Sequence, residues 1–62
     1  MFEIVYVDGV YRAVIDVNHK VNKYGEPRKW ITRDEAQHWI DRHSYKGMSF
    51  HYEIKEVYDE KR

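Results

Sequence analysis

The fold turns on residues 2–17, FEIVYVDGVYRAVIDV. In the first half Phe2, Ile4 and Tyr6 alternate with Glu3, Val5 and Val7; in the second half Tyr11, Ala13, Ile15 and Val17 alternate with Val10, Arg12, Val14 and Asp16. A period of two is the signature of a strand, whose successive side chains point to opposite faces. Asp8-Gly9 lies between the two runs, and both residue types tolerate the positive φ that a type I′ turn demands. Residues 2–7 and 10–17 therefore read as a hairpin. With Asp8 and Gly9 as the central turn residues, Val7 faces Val10, Tyr6 faces Tyr11, Val5 faces Arg12, Ile4 faces Ala13, Glu3 faces Val14 and Phe2 faces Ile15. One face of the pair is aromatic and aliphatic. The other carries Val5, Val7, Val10 and Val14 among Glu3, Arg12 and Asp16.

Residues 33–43 read as a helix. Thr32 followed three positions later by Glu35 is a capping box, and Ile31 can staple onto Ala36. Ala36, Trp39, Ile40 and His43 recur at i, i+3, i+4 and i+7, one stripe of a 3.6-residue repeat. Gly47 suits a stop shortly after the last turn. Residues 49–58 read as a third strand, with Phe50, Tyr52 and Ile54 alternating with His51, Glu53 and Lys55. The alternation blurs at Lys55-Glu56, which marks a bulge or the strand's end. Residues 18–31, punctuated by Gly25 and Pro27, form a loop or arm, in which 19–22 and 28–31 can pair as a short second hairpin. Residues 59–62 read as a frayed tail.

The order β-β-α-β predicts a single small α+β domain over residues 1–62. It has a three-stranded antiparallel sheet of order 2-1-3 with one helix packed on one face. The first strand is the least polar and belongs in the centre. The chain has 62 residues, and a core of this size supplies only roughly 3–5 kcal/mol. With no cysteine there is no disulfide to help, so association with a protein partner or a second copy enters on size alone.

Composition excludes several classes. No apolar run approaches the roughly 20 residues of a membrane span. Ten aromatics argue against global disorder. The start has no basic segment followed by an apolar core, so no secretory signal is expected and the cytoplasm is the default location. Eleven Lys+Arg balance eleven Asp+Glu, so the molecule as a whole neither attracts nor repels phosphate.

No reaction suggests itself. Ser44 and Ser49 lack a nucleophile-elbow context, and no glycine-rich phosphate loop exists. His38 and His43 lie about 140° apart around a helix at 100° per residue. His19 and His51 fall elsewhere, so three or four converging metal ligands are not expected. No catalytic residue, metal or cofactor is called for.

Two binding surfaces compete. A lone helix cannot cover both faces of a sheet, so Val5, Val7, Val10 and Val14 with Arg12 at the rim form a candidate docking face for a protein partner or for self-association, a homodimer. The plain alternative is that half-exposed valines are ordinary strand formers. The second surface is the arm, where Lys20, Lys23, Arg28 and Lys29 interleave with Trp30, a mixture that suits nucleic acid. Its plain alternative is a solvated loop with Trp30 tucked under the helix start.

The segment from Trp30 to Ile54 resembles a pattern of small, functionally uncharacterised bacterial and phage (prophage-type) proteins. In these an aromatic precedes a capped T-x-x-E-A helix, and a strand ending in Y-E-I follows. Thr32, Glu35, Ala36, Trp39, Ile40, Tyr52 and Ile54 carry the match, over the C-terminal half of the chain. The resemblance implies the helix-strand order and a phage or prophage origin. It implies no catalytic residue.

Overall fold

A computed structural model describes residues 1–58; the tail expected over 59–62 lies outside the described residues. The elements are β1 (Phe2–Asp8), β2 (Tyr11–Ile15), β3 (Val21–Asn22), α1 (Arg33–His43) and β4 (His51–Glu56). The strands form one antiparallel sheet of order β3-β2-β1-β4, with α1 on one face. This is the expected α+β architecture, with β1 central between β2 and the strand that follows the helix. It has one strand more than expected, because the start of the 18–31 arm folds back on β2.

The hairpin keeps its faces and shifts its register. Asp8 pairs with Tyr11, Val7 with Arg12, Tyr6 with Ala13 and Val5 with Val14. The central turn residues are thus Gly9 and Val10. Gly9 has φ +64° and Val10 does not have positive φ. That is the type II′ pattern, with glycine first. A type I′ turn centred on Asp8-Gly9 would force Asp8 to positive φ as well; the shifted turn places that burden on glycine alone. The slip is two residues, and the side-chain period is two, so no residue changes face. Val10 alone leaves the valine face: it sits at the turn, fully exposed.

The β1–β2 ladder stops at Val5–Val14, and the end of the arm takes the positions beyond. Phe2 and Trp30 exchange two backbone hydrogen bonds of 2.8 Å, and the Arg28 N–H donates to the Ile15 carbonyl at 2.9 Å. The flanks 19–22 and 28–31 therefore join the sheet separately, where a second hairpin between them was expected. The diverging ends of β1 and β2 leave peptide groups that need partners, and residues 27–30 supply them. This inserts Trp30 into the core.

Asp16 organises the other half of the arm. Its carboxylate accepts from the backbone N–H groups of Asn18 (2.9 Å) and Lys20 (3.0 Å) and from Asn22 Nδ2 (3.1 Å). These hydrogen bonds hold its pKa below the ordinary 3.8, the bond from Lys20 contributing most. The tight loop leaves His19 at φ +64°.

Thr32 caps α1, its hydroxyl oxygen accepting from the Glu35 N–H at 3.1 Å. Ala36, Trp39 and Ile40 bury against Ile4, Ile15 and Trp30, with Phe2, Tyr6, Tyr52 and Ile54 around them. Ile31 is not a staple. It stays 70% exposed, and its neighbour Trp30 takes the buried position. Pairing of β1 with β4 is unbroken from Val7–His51 to Phe2–Glu56. The blurred alternation at Lys55-Glu56 is therefore the end of the strand. No helix among the described residues is long and apolar enough to cross a membrane.

Candidate functional site: a cationic groove beside the helix

The helix-free face is the first sequence-derived surface. Val5 and Val14 pair across it, half-buried, while Val7 is only 6% exposed. Arg12 reaches from β2 across β1 to Glu53 on β4, at 3.1 Å, and His51 Nε2 lies 2.9 Å from the other Glu53 oxygen. Those two hydrogen bonds, His51 first, hold the Glu53 carboxyl below its ordinary range. At the far end Lys29 Nζ lies 3.5 Å from Glu3. The face is thus a narrow apolar strip, Val5 and Val14, crossed by charged side chains whose aliphatic stems cover apolar surface.

The second sequence-derived surface is divided. Lys29 pairs with Glu3, and Lys20 sits in the Asp16 loop through its backbone. Lys23 lies over the Tyr11 ring, 5.6 Å from its centroid. Arg28 and Trp30 go elsewhere: they line an open groove of about 430 Å3 between the arm and α1. One wall of the groove is His19 and Arg28; the other is Glu35, His38, Arg42 and His43. Trp30 and Trp39, both nearly buried, complete the lining.

The arrangement follows from local structure. The capped helix places Glu35, His38, Trp39, Arg42 and His43 at i, i+3, i+4, i+7 and i+8, a stripe beside the core stripe. Phe2 and Ile15 hold the backbone of Arg28 and Trp30, and Asp16 holds the loop that carries His19. Trp39 joins the two walls. Its Nε1–H donates to His19 Nδ1 at 3.4 Å, and its ring stacks on His43 at 3.9 Å and 12°. Indole N–H only donates, so His19 presents its other nitrogen as an N–H donor. His43 Nδ1 lies 2.8 Å from the Trp39 carbonyl oxygen, which only accepts. Nδ1 of His43 therefore carries the proton. Arg28 Cζ lies 5.7 Å from the Trp30 ring centroid, and Arg28 Nε is buried with no hydrogen-bond partner among the described residues.

The groove thus gathers two guanidinium groups and three imidazoles against one carboxylate, in a chain with no net charge. Among the described residues no group of three or more His, Asp or Glu converges as a metal ion requires. An anion suits the donors: arginine supplies planar, forked N–H groups that fit phosphate oxygens. A planar ring suits the imidazole and guanidinium surfaces. Beyond the groove, on the same face of the sheet, the rings continue. Trp39 contacts Tyr52 at 5.3 Å, Tyr52 contacts Tyr6 at 6.0 Å, and Tyr6 contacts Tyr11 at 6.1 Å, where Lys23 lies.

Arg28 and Trp30 stand out in the sequence as members of the basic arm; His19, His38 and His43 stand out there only as histidines too scattered to hold a metal, and Arg42 does not stand out at all. The helical members were detectable as a second stripe with the same spacing as the core stripe. His19 was not, because its position depends on the Asp16 loop. No family model, curated protein or solved structure matches the chain.

Proposed function

We propose that this chain is a small binding module for single-stranded nucleic acid, with the groove between arm and helix as its principal contact. The observation that carries this reading is the convergence of Arg28, Arg42 and three imidazoles on Trp30 and Trp39, opposed only by Glu35. Phosphates take the guanidinium groups, and an unstacked base lies against His43 or the Arg28 plane. The line of rings toward Tyr11 and Lys23 supports a strand over a mononucleotide, because it extends the contact past one nucleotide. A phage or prophage origin and a cytoplasmic setting belong to the same reading, supported by the helix-strand resemblance and the absence of cysteine.

The test is titration of the intact protein with oligothymidylate at low salt, followed by tryptophan fluorescence. Binding quenches Trp30 and Trp39 and weakens with added salt. No change in fluorescence and no retardation of the oligonucleotide overturn the reading.

A second reading has its own observation. Val5 and Val14 lie side by side, half-buried, on the face that α1 does not cover, with Arg12 at their border. In this reading the face docks on a protein partner. It ranks second because Val7 is already buried and Val10 has moved to the turn, which leaves little apolar surface. Val14→Glu separates the two: it abolishes protein capture in the second reading and leaves oligonucleotide binding unchanged in the first.

A further inference from the structure

β4 is an edge strand, and its outer side has no partner among the described residues. The peptide groups on that side can be assigned. Met1 and Val57 exchange hydrogen bonds, the terminal amine donating to the Val57 carbonyl at 3.1 Å and the Val57 N–H to the Met1 carbonyl at 2.8 Å. Hydrogen-bonded and non-hydrogen-bonded pairs alternate along an antiparallel ladder. Lys55, Glu53 and His51 therefore direct their peptide groups at β1, and Tyr52, Ile54 and Glu56 direct theirs outward.

An exposed row of such groups is a template for another strand. Here the strand's own sequence selects the guest. Two copies of β4 can pair antiparallel only when outward-facing residues meet outward-facing residues. Two registers meet that condition and keep five of the six strand residues paired. In one, Glu53 meets Glu53 and His51 meets Lys55, which sets like charges opposite each other. In the other, Glu53 of each protomer meets Lys55 of its partner, Ile54 meets Ile54 on the two-fold axis, and Tyr52 meets Glu56. The second register adds six backbone hydrogen bonds where the first adds four. It also places Glu53 and Lys55 in non-hydrogen-bonded pairs, where side chains approach closest.

We propose that β4 is the seam of a homodimer in which two copies join edge to edge into one eight-stranded antiparallel sheet, with Glu53 of one protomer opposite Lys55 of the other. Both helices then lie on the same side of the sheet. Ile54, half-buried in the single chain, gains cover at the axis. The groove is bounded by the arm on the far side of α1 and stays open. The seam also answers the shortage of core in so short a chain.

Sedimentation equilibrium on the full chain, at concentrations up to about 1 mM to reach weak association, tests the seam. The wild type shows a monomer–dimer equilibrium. Lys55→Glu sets Glu against Glu in both cross-strand pairs and weakens the dimer by about 10-fold or more. Glu53→Lys does the same with two lysines. An equimolar mixture of the two variants restores both pairs and dimerises. A monomeric wild type, a Lys55→Glu dimer as tight as the wild type, or a mixture that stays monomeric overturns the proposal. Should either variant fail to fold by circular dichroism, amide exchange of the wild type decides. Protection at Tyr52, Ile54 and Glu56 that rises with protein concentration upholds the seam, and protection that does not change overturns it.

Discussion

Replacing Arg42 by Gln leaves a shorter polar side chain that still favours a helix at this exposed position and removes one cation from the groove. If Arg28, Arg42 and Lys23 each neutralise one phosphate of a single strand, log K falls with log salt at a slope of about −2, since each contact contributes roughly −0.7. Between about 50 and 200 mM salt the wild type then loses roughly 20-fold in affinity. Arg42→Gln reduces the slope by about 0.7, and Arg28→Gln in the same chain reduces it by about 0.7 again. The assay is tryptophan fluorescence with oligothymidylate over that salt range, at one pH. Lys29→Gln is the control, because Lys29 pairs with Glu3 away from the groove. Equal slopes for the wild type and the double variant would refute the reasoning, as would a Lys29→Gln slope that falls as far as the Arg42→Gln slope.

Other perturbations test the scaffold that builds the groove. Ile4 is fully buried at the centre of the sheet, so Ile4→Ala costs about 2–5 kcal/mol. That is comparable to the stability expected of so short a chain, and urea denaturation shows it partly or wholly unfolded. Thr32→Ala removes the cap and costs about 1 kcal/mol, which lowers the melting temperature by about 4–8 °C in a domain of this size. Asp16 has a lowered pKa in the folded chain, so its contribution to stability is present above the ordinary value of 3.8 and is lost as pH falls through the lower folded value. Asp16→Asn flattens that acid limb in urea titrations, and a limb unchanged by the substitution contradicts the role assigned to the carboxylate.

The strands and the helix were legible because each carries its own period. Phe2, Ile4 and Tyr6 alternate, and Ala36, Trp39 and Ile40 recur at helical spacing, so local sequence and tertiary packing agree. The hairpin register was not legible to the residue. Asp8-Gly9 and Gly9-Val10 are both acceptable two-residue turns, and the second leaves positive φ to glycine alone and frees Phe2 and Ile15 to pair with the arm. The arm was the least legible part. Trp30 pairs with Phe2, and Arg28 with Ile15, across more than ten residues of sequence, and no local pattern records such contacts. The same holds for the candidate site. Its helical half is a stripe anyone can count, while His19 and Arg28 join it only through the Asp16 loop and the gap between β1 and β2. Val5, Val7 and Val14 share the side that the alternation assigns them, but Val10 sits at the turn, Arg12 and Glu53 close part of the face, and that cross-strand pair depends on β4.

The most direct test of the groove is an amide and indole chemical-shift map of the whole chain during titration with oligothymidylate. The account predicts the largest shifts at the Trp30 and Trp39 indoles, His19, Arg28 and Arg42, with Val5, Arg12 and Val14 unmoved. Shifts centred on Val5, Arg12 and Val14, or none at all, would contradict it.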